Sequence, residues 1–208
     1  MFRFFRNRRN RQMAHAISSQ YLWDLTNKII PDLCETESID LPQGKKQPEG
    51  FWTHEYTVGF YTMFISQFIR ILLGIDMMDA KTYKDKLHPE DKHEIFTLIF
   101  DEICPHEKEV FMTAMLKQLD EYKATGFASD DFELALNNVT TICIFQEGRV
   151  DDVKEELMDS EEILEAKKIA KNQDTGIFHT TNKLNFNQKV ASCLTLIYLT
   201  RHLRDHFQ

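Results

Sequence analysis

The chain has few residues that break or crosslink a backbone: 7 glycines, 5 prolines and 4 cysteines among 208 residues. Cys34, Cys104, Cys143 and Cys193 form no C-x-x-C pair, so their spacing excludes a zinc knuckle and offers no disulfide framework. Reduced thiols in a cytoplasmic setting fit that pattern. The signatures of phosphate loops, nucleophile elbows, zincins and calcium loops are also missing, with no G-x-x-x-x-G-K, G-x-S-x-G or H-E-x-x-H. That removes the enzymes that announce themselves by a local motif and leaves catalysis by dispersed residues open. The first residues lack the apolar core and small-residue cleavage site of a secretory signal. An Arg-rich stretch free of acids until Asp24 also suits a mitochondrial transit segment, which makes the mitochondrial matrix the alternative location.

What is present is apolar content and charge. A hydrophobic fraction of 42% over 208 residues is enough for one core, and the expectation is a single domain. The net charge of -8 is unevenly spread, because residues 1–12 hold Arg3, Arg6, Arg8, Arg9 and Arg11 and no acid. Without those five, 20 basic residues face 33 acidic ones, a balance of -13, which disfavours nucleic acid as a ligand of the body. Residues 1–12 read as a flexible tail that interleaves Phe2, Phe4 and Phe5 with arginine. Such a tail suits an anionic membrane surface, nucleic acid or an acidic patch on another protein, the bland alternative being that it docks on its own acidic body.

Helical periodicity runs through most of residues 13–208. Met13, Ile17, Tyr21, Leu25 and Ile29 recur every fourth residue, a stripe that Pro31 should stop. Prolines and glycines from Pro31 to Gly50 read as a long surface connection. Residues 57–75 are the most apolar run, with Gly59, Thr62, Ser66, Arg70 and Gly74 on one narrow stripe. Gln67 and Arg70 inside it, and Asp76 and Asp79 beyond it, favour a buried helix over a membrane span. Pro89 and Pro105 read as first-turn prolines of helices near 89–103 and 105–124, the second ending at Thr125 and Gly126. Ser129 or Asp130 caps a helix whose stripe is Phe132, Ala135, Leu136, Val139 and Ile142. An acidic outer segment over 150–172 carries Val153, Leu157, Leu164 and Ile169, with Ser160 as an internal cap. A loop around Gly176 then leads to a last helix over 185–207. The fold class is therefore an all-α bundle of about six to eight helices, centred on 51–78 and 185–207. An α+β fold is the alternative, because Val139–Phe145 and Leu194–Thr200 are rich in β-branched and aromatic residues.

Candidate ligands are densest at His88, Glu90, His93, Glu94, Glu102 and His106. Glu90 and His93 form one E-x-x-H, but a di-iron bundle needs a second such pair, and none is present. The metal candidates are His88, Glu90, His93, Glu102 and His106, and the competing reading is a solvated helix face. His202 and His206 lie four apart and could hold an ion from one helix face, although two ligands fall short of four. His54 and Glu55, beside Trp52 and Tyr56, read as a pocket rim or a helix cap. Arg70 within an apolar helix requires a carboxylate such as Asp24, Glu55 or Asp101, or else binds an anion. With the tail arginines Arg3, Arg6, Arg8, Arg9 and Arg11, it completes the partner- or anion-binding candidates.

These features lead to a non-enzymatic helical interaction protein, an adaptor, regulator or inhibitor that binds a protein partner through an acidic surface and needs no cofactor. Two alternatives stand beside it: a divalent-metal-binding protein or metal-dependent enzyme, and a peripheral membrane protein anchored by the Phe/Arg tail.

Overall fold

The computed structural model describes residues 2–75, 82, 86–152, 158–172 and 184–208. Among them are eight α-helices and no strand, so the protein is an all-α bundle. Val139–Phe145 and Leu194–Thr200 are helical throughout, because the apolar faces on either side continue through them. Gly176, Asp76, Asp79, Val153 and Leu157 lie outside the described residues.

The first departure from the sequence reading is at Pro31. Helix α1 (Phe2–Ile17) passes into a π turn at Ser18–Leu22, a second at Leu25–Ile29, and then α2 (Ile30–Thr36). Proline inside a regular helix lacks the N–H for its own hydrogen bond, and its ring strikes the carbonyl four residues back. Here the Ile30 N–H donates to Leu25 O, a register one residue wider than in an α-helix. That register releases Thr26 O, which accepts from Gln47 Nε2 at 2.7 Å. The widened turn makes room for Pro31, and the helix continues to Thr36. The surface connection expected over 31–50 is correspondingly shorter and lacks regular structure only from Glu37 to Gly50.

The second departure is the N-terminal segment. Residues 2–12, expected to be a flexible tail, form most of α1, which packs along α4 (Pro89–Ile103). Met13, Ala14 and Ile17 are buried there, with Asn10 fully enclosed. Asn10 Nδ2 donates to Asp91 Oδ1 and Glu94 Oε2, both at 2.8 Å. Arg9 Nη2 reaches Asp91 Oδ2 at 3.3 Å, and Arg6 Nε lies 3.0 Å from Asp91 Oδ1. Arg6 and Arg9 thus meet acids of the body within the molecule, whereas Arg8 and Arg11 face solvent.

Pro105, expected in a helix's first turn, lies instead in the turn before the helix that starts at Lys108, whereas other helix signals hold. Pro89 opens α4, α5 (Lys108–Thr125) ends at Gly126, and Ser129 Oγ caps α6 (Asp130–Glu147) by accepting from Phe132 N. Helix α7 (Glu161–Asn172) begins after Ser160, whose Oγ faces Ile163 N, and lies against α8 (Phe186–Phe207). Helix α3 (Glu55–Leu72) is buried along most of its length and packs most extensively on α6. Gly59 permits that approach: a Cβ there would stand 2.8 Å from Phe132 O and 3.0 Å from Ala135 Cβ. No helix among the described residues is long and apolar enough to cross a membrane.

Candidate metal centre

Three chain segments meet beside the first turn of α3. The first is the 3-10 turn Phe51–Thr53, which enters from Gly50 at φ 78°, a left-handed conformation that glycine adopts without steric cost. Phe51 and Trp52 are almost fully buried, and Trp52 meets Phe100 and Phe111 edge-on. This anchor fixes His54, the residue before α3, whose Nδ1 accepts from Tyr56 N at 3.2 Å. Asp131 is the second contributor, at the start of α6, where an acid also suits the positive end of the helix dipole. His206 is the third, in the last turn of α8. That turn is tied down by Arg204, which donates to both carboxylate oxygens of Glu37 at 2.9 and 3.0 Å, and by Gln208 Nε2 on Glu37 O. The Arg204 hydrogen bonds hold Glu37 below the usual carboxylate range.

One ligand atom from each of His54, Asp131 and His206 lies within 4.8 Å of the others. Among the described residues no other three His, Cys, Asp or Glu side chains converge in this way. His54 and Asp131 are half-buried and His206 is exposed, so the group sits at the surface end of a buried wall. His54 Nε2 is 4.0 Å from Asp131 Oδ2. The ring of His206 lies 4.3 Å from that of His54, centroid to centroid.

His202 forms the floor. It is 3% exposed, stacks on Tyr56 at 4.3 Å, and its Nε2 lies 3.0 Å from Thr57 Oγ1. Its Nδ1 is buried and has no hydrogen-bond partner. Burial first, then the charges of His54 and His206, push the His202 pKa down to about 2. Burial and His206 also lower His54, against the opposing pull of Asp131 and Glu55. Both rings are neutral at pH 7, the form in which imidazole offers a lone pair.

The metal candidates chosen from sequence do not assemble. Glu90 pairs with Arg6 at 3.5 Å, and Glu102 accepts from Ser18 and faces His15 Nδ1 at 3.3 Å. His88 occupies the N-cap position of α4, where its backbone carbonyl accepts from Lys92 N but its side chain makes no cap bond, and His93 and His106 are exposed. The segment is rich in ligands, but the helix sends them in different directions. Of the arginines, Arg6 and Arg9 engage Asp91, Arg8 and Arg11 face solvent, and Arg3 lies in the first turn of α1. Arg70 is half-buried in the last turn of α3, where its charge adds to burial in pushing Lys92 down to about 8. The acids expected beside Arg70 are engaged elsewhere, Asp24 with Lys28, Glu55 with Gln118 and Asp101 with Lys108.

The sequence marks His54, His202 and His206 separately and carries no signal for Asp131. The spacing of His202 and His206 was the available signal; nothing local tied them to His54 or Asp131. A cavity of about 430 Å³ opens beside the same 3-10 turn, lined by Gln47, Phe51, Trp52 and Val110 and by the ion-paired Lys45 and Glu107. Lys45 and Glu107 pair with each other, Gln47 donates to Thr26 O outside the cavity, and Trp52 Nε1 is buried without a hydrogen-bond partner. Compared with family models, curated proteins and solved structures, the chain matches none.

Proposed function

We propose that this protein binds a divalent transition-metal ion between His54, Asp131 and His206. The supporting observation is the convergence of two imidazoles and a carboxylate from three separate segments. Two nitrogens and one oxygen suit zinc and neighbouring first-row ions, whereas calcium and magnesium take oxygen donors. Tetrahedral bonds of about 2.0–2.1 Å place donor atoms about 3.3 Å apart, so separations of up to 4.8 Å close by roughly 1.5 Å on loading. His54 must also change partner, because Nδ1 accepts from Tyr56 N–H and therefore leaves the proton on Nε2. Ligation through Nε2 gives up that helix cap, a loss of about 1 kcal/mol that metal ligation outweighs.

The test is elemental analysis of protein purified without chelator, followed by titration of stripped protein with Zn(II), Co(II) and Ni(II). The expected result is one ion per chain, with binding abolished in His206→Ala and much weakened in Asp131→Asn. Wild-type protein that binds none of the three at micromolar concentration would overturn the proposal.

A second reading is docking of a basic protein partner, supported by the acidic body and by the end of α5. From Asp120 to Phe127 every residue is exposed, including Tyr122 and Phe127, and Asp130 and Leu134 follow on α6. Capture of one stoichiometric partner that is lost as salt rises is the expected result. A partner retained equally by Tyr122→Ser/Phe127→Ser excludes this surface.

A further inference from the structure

We infer that His202 is a fourth ligand of the same ion, closing the site into a four-coordinate centre of three imidazoles and one carboxylate. This rests on the metal-binding reading above and deepens it, because a closed tetrahedral site selects a zinc-like ion and leaves no position for substrate.

Position is the first argument. His202 and His206 stand one turn apart on α8, the helical spacing at which paired histidines hold one ion from a single face. The His202 ring centroid is 4.8 Å from that of His54 and 5.2 Å from that of His206. Imidazoles bound to one tetrahedral ion through bonds of about 2.0–2.1 Å have centroids about 5 Å apart. The rings are therefore already spaced as ligands, although the tight group of donor atoms comprises only the other three residues.

Hydrogen bonding is the second. A ligating histidine characteristically donates its other N–H to a fixed acceptor, which sets the tautomer and aims the lone pair. Nε2 of His202 has such a neighbour in Thr57 Oγ1 at 3.0 Å. With the proton on Nε2, the Nδ1 lone pair is left buried and unpartnered. A histidine kept only for packing has no need of this arrangement, since a phenylalanine would stack on Tyr56 without an orphaned nitrogen.

The experiment is visible absorption of the Co(II)-loaded full chain, because four-coordinate cobalt absorbs far more strongly than five- or six-coordinate cobalt. Wild type is expected to give the intense four-coordinate spectrum, and His202→Gln a weak one while still holding one ion. Thr57→Val supplies a second variant that keeps the β-branched shape. Removing the partner of Nε2 should weaken Co(II) binding by about 10–100-fold, so the idea stays exposed to refutation even if His202→Gln does not fold. Identical intense spectra for wild type and His202→Gln, or a weak wild-type spectrum, overturn the role of His202 and leave the metal site standing. Unchanged Co(II) affinity in Thr57→Val also counts against His202. No cobalt uptake by wild type at all removes both proposals.

Discussion

At the seam between α1 and α4, the buried carboxylate of Asp91 receives Arg9 and Asn10 and faces Arg6. Where α3, α6 and α8 meet, three imidazoles crowd at ring distances of 4.3–5.2 Å, with the nearest carboxylate oxygen 4.0 Å from His54. Both clusters are polar and partly enclosed, but in the first the opposite charges are already in contact. The second keeps its members apart and leaves His202 Nδ1 without any partner, whereas Arg6 Nε, the nitrogen in the first that makes no hydrogen bond, still lies 3.0 Å from Asp91 Oδ1 as an ion pair. Low dielectric raises the value of a completed network and the cost of an incomplete one. A completed network is sufficiently explained by holding two helices together. The incomplete one is explained by something it can receive.

The largest expected effect tests the completed side. Asp91→Ala removes the buried acceptor shared by Arg6, Arg9 and Asn10, leaving Glu90 to Arg6 and Glu94 to Asn10, and should lower stability by about 3 kcal/mol, the low end for a broken buried pair. The low end applies because Arg6 and Arg9 are each more than one-third exposed, and water takes up part of their charge. Urea denaturation followed by circular dichroism measures this. A loss below about 1 kcal/mol would place the seam with ordinary surface pairs and dissolve the contrast.

Gly59→Ala acts on the second cluster from outside. Its new Cβ would meet Phe132 O at 2.8 Å, a backbone atom that moves only with α6. Overpacking of this kind costs about 1–3 kcal/mol. Because Asp131 is the neighbour of Phe132, the same shift should also weaken metal binding. Thermal unfolding and zinc titration of one variant measure both effects. Lost stability with unchanged zinc affinity would show that the site is not positioned by the contact between α3 and α6.

The two clusters also differ in how far they could be read from the chain. Helix limits were legible at Pro89, Gly126 and Ser129, each acting within its own turn, whereas Pro105 stands in the turn before its helix. Pro31 misled because its usual effect was absorbed by a π turn whose freed carbonyl is satisfied by Gln47, a side chain from another segment. Residues 2–12 looked detachable because the partners of Arg6, Arg9 and Asn10 lie on α4, far along the chain. The same limitation hid the candidate site. Local ligand density favoured His88 to His106, yet a helix separates such neighbours angularly, while His54, Asp131 and His206 share no motif and meet only through packing.

Acid should separate the clusters in stripped protein. The His202 pKa is lowered from the ordinary 6.5 to about 2, so the unfolded chain takes up its proton first. The contribution is fully present above pH 6.5 and declines as pH falls from there toward 2. His54, His206, Tyr56 and Thr57 face this ring, and Asp131 and His206 lie beside His54 at the same site. Stability measured against pH should therefore fall less steeply between 6.5 and 4 in His202→Phe than in wild type. Equal slopes would mean that the imidazole is not held neutral by its surroundings.

The smallest expected change in stability gives the cleanest separation of structure from function. His54 caps α3 through Nδ1 and supplies a ligand to the proposed centre, two roles that alanine would remove together. Serine is among the best N-cap residues, so His54→Ser should keep stability within about 0.5 kcal/mol of the stripped wild type. It cannot replace an imidazole as a zinc donor, so the stabilisation that added zinc gives wild type should largely vanish. Thermal shift with and without zinc reads both quantities in one assay. A variant that gains as much from zinc as wild type would assign His54 to capping alone and leave Asp131 and His206, with or without His202, to hold the ion. If zinc stabilisation is lost while stability without zinc is retained, the cluster is a receiving site, in contrast to the self-completed seam around Asp91.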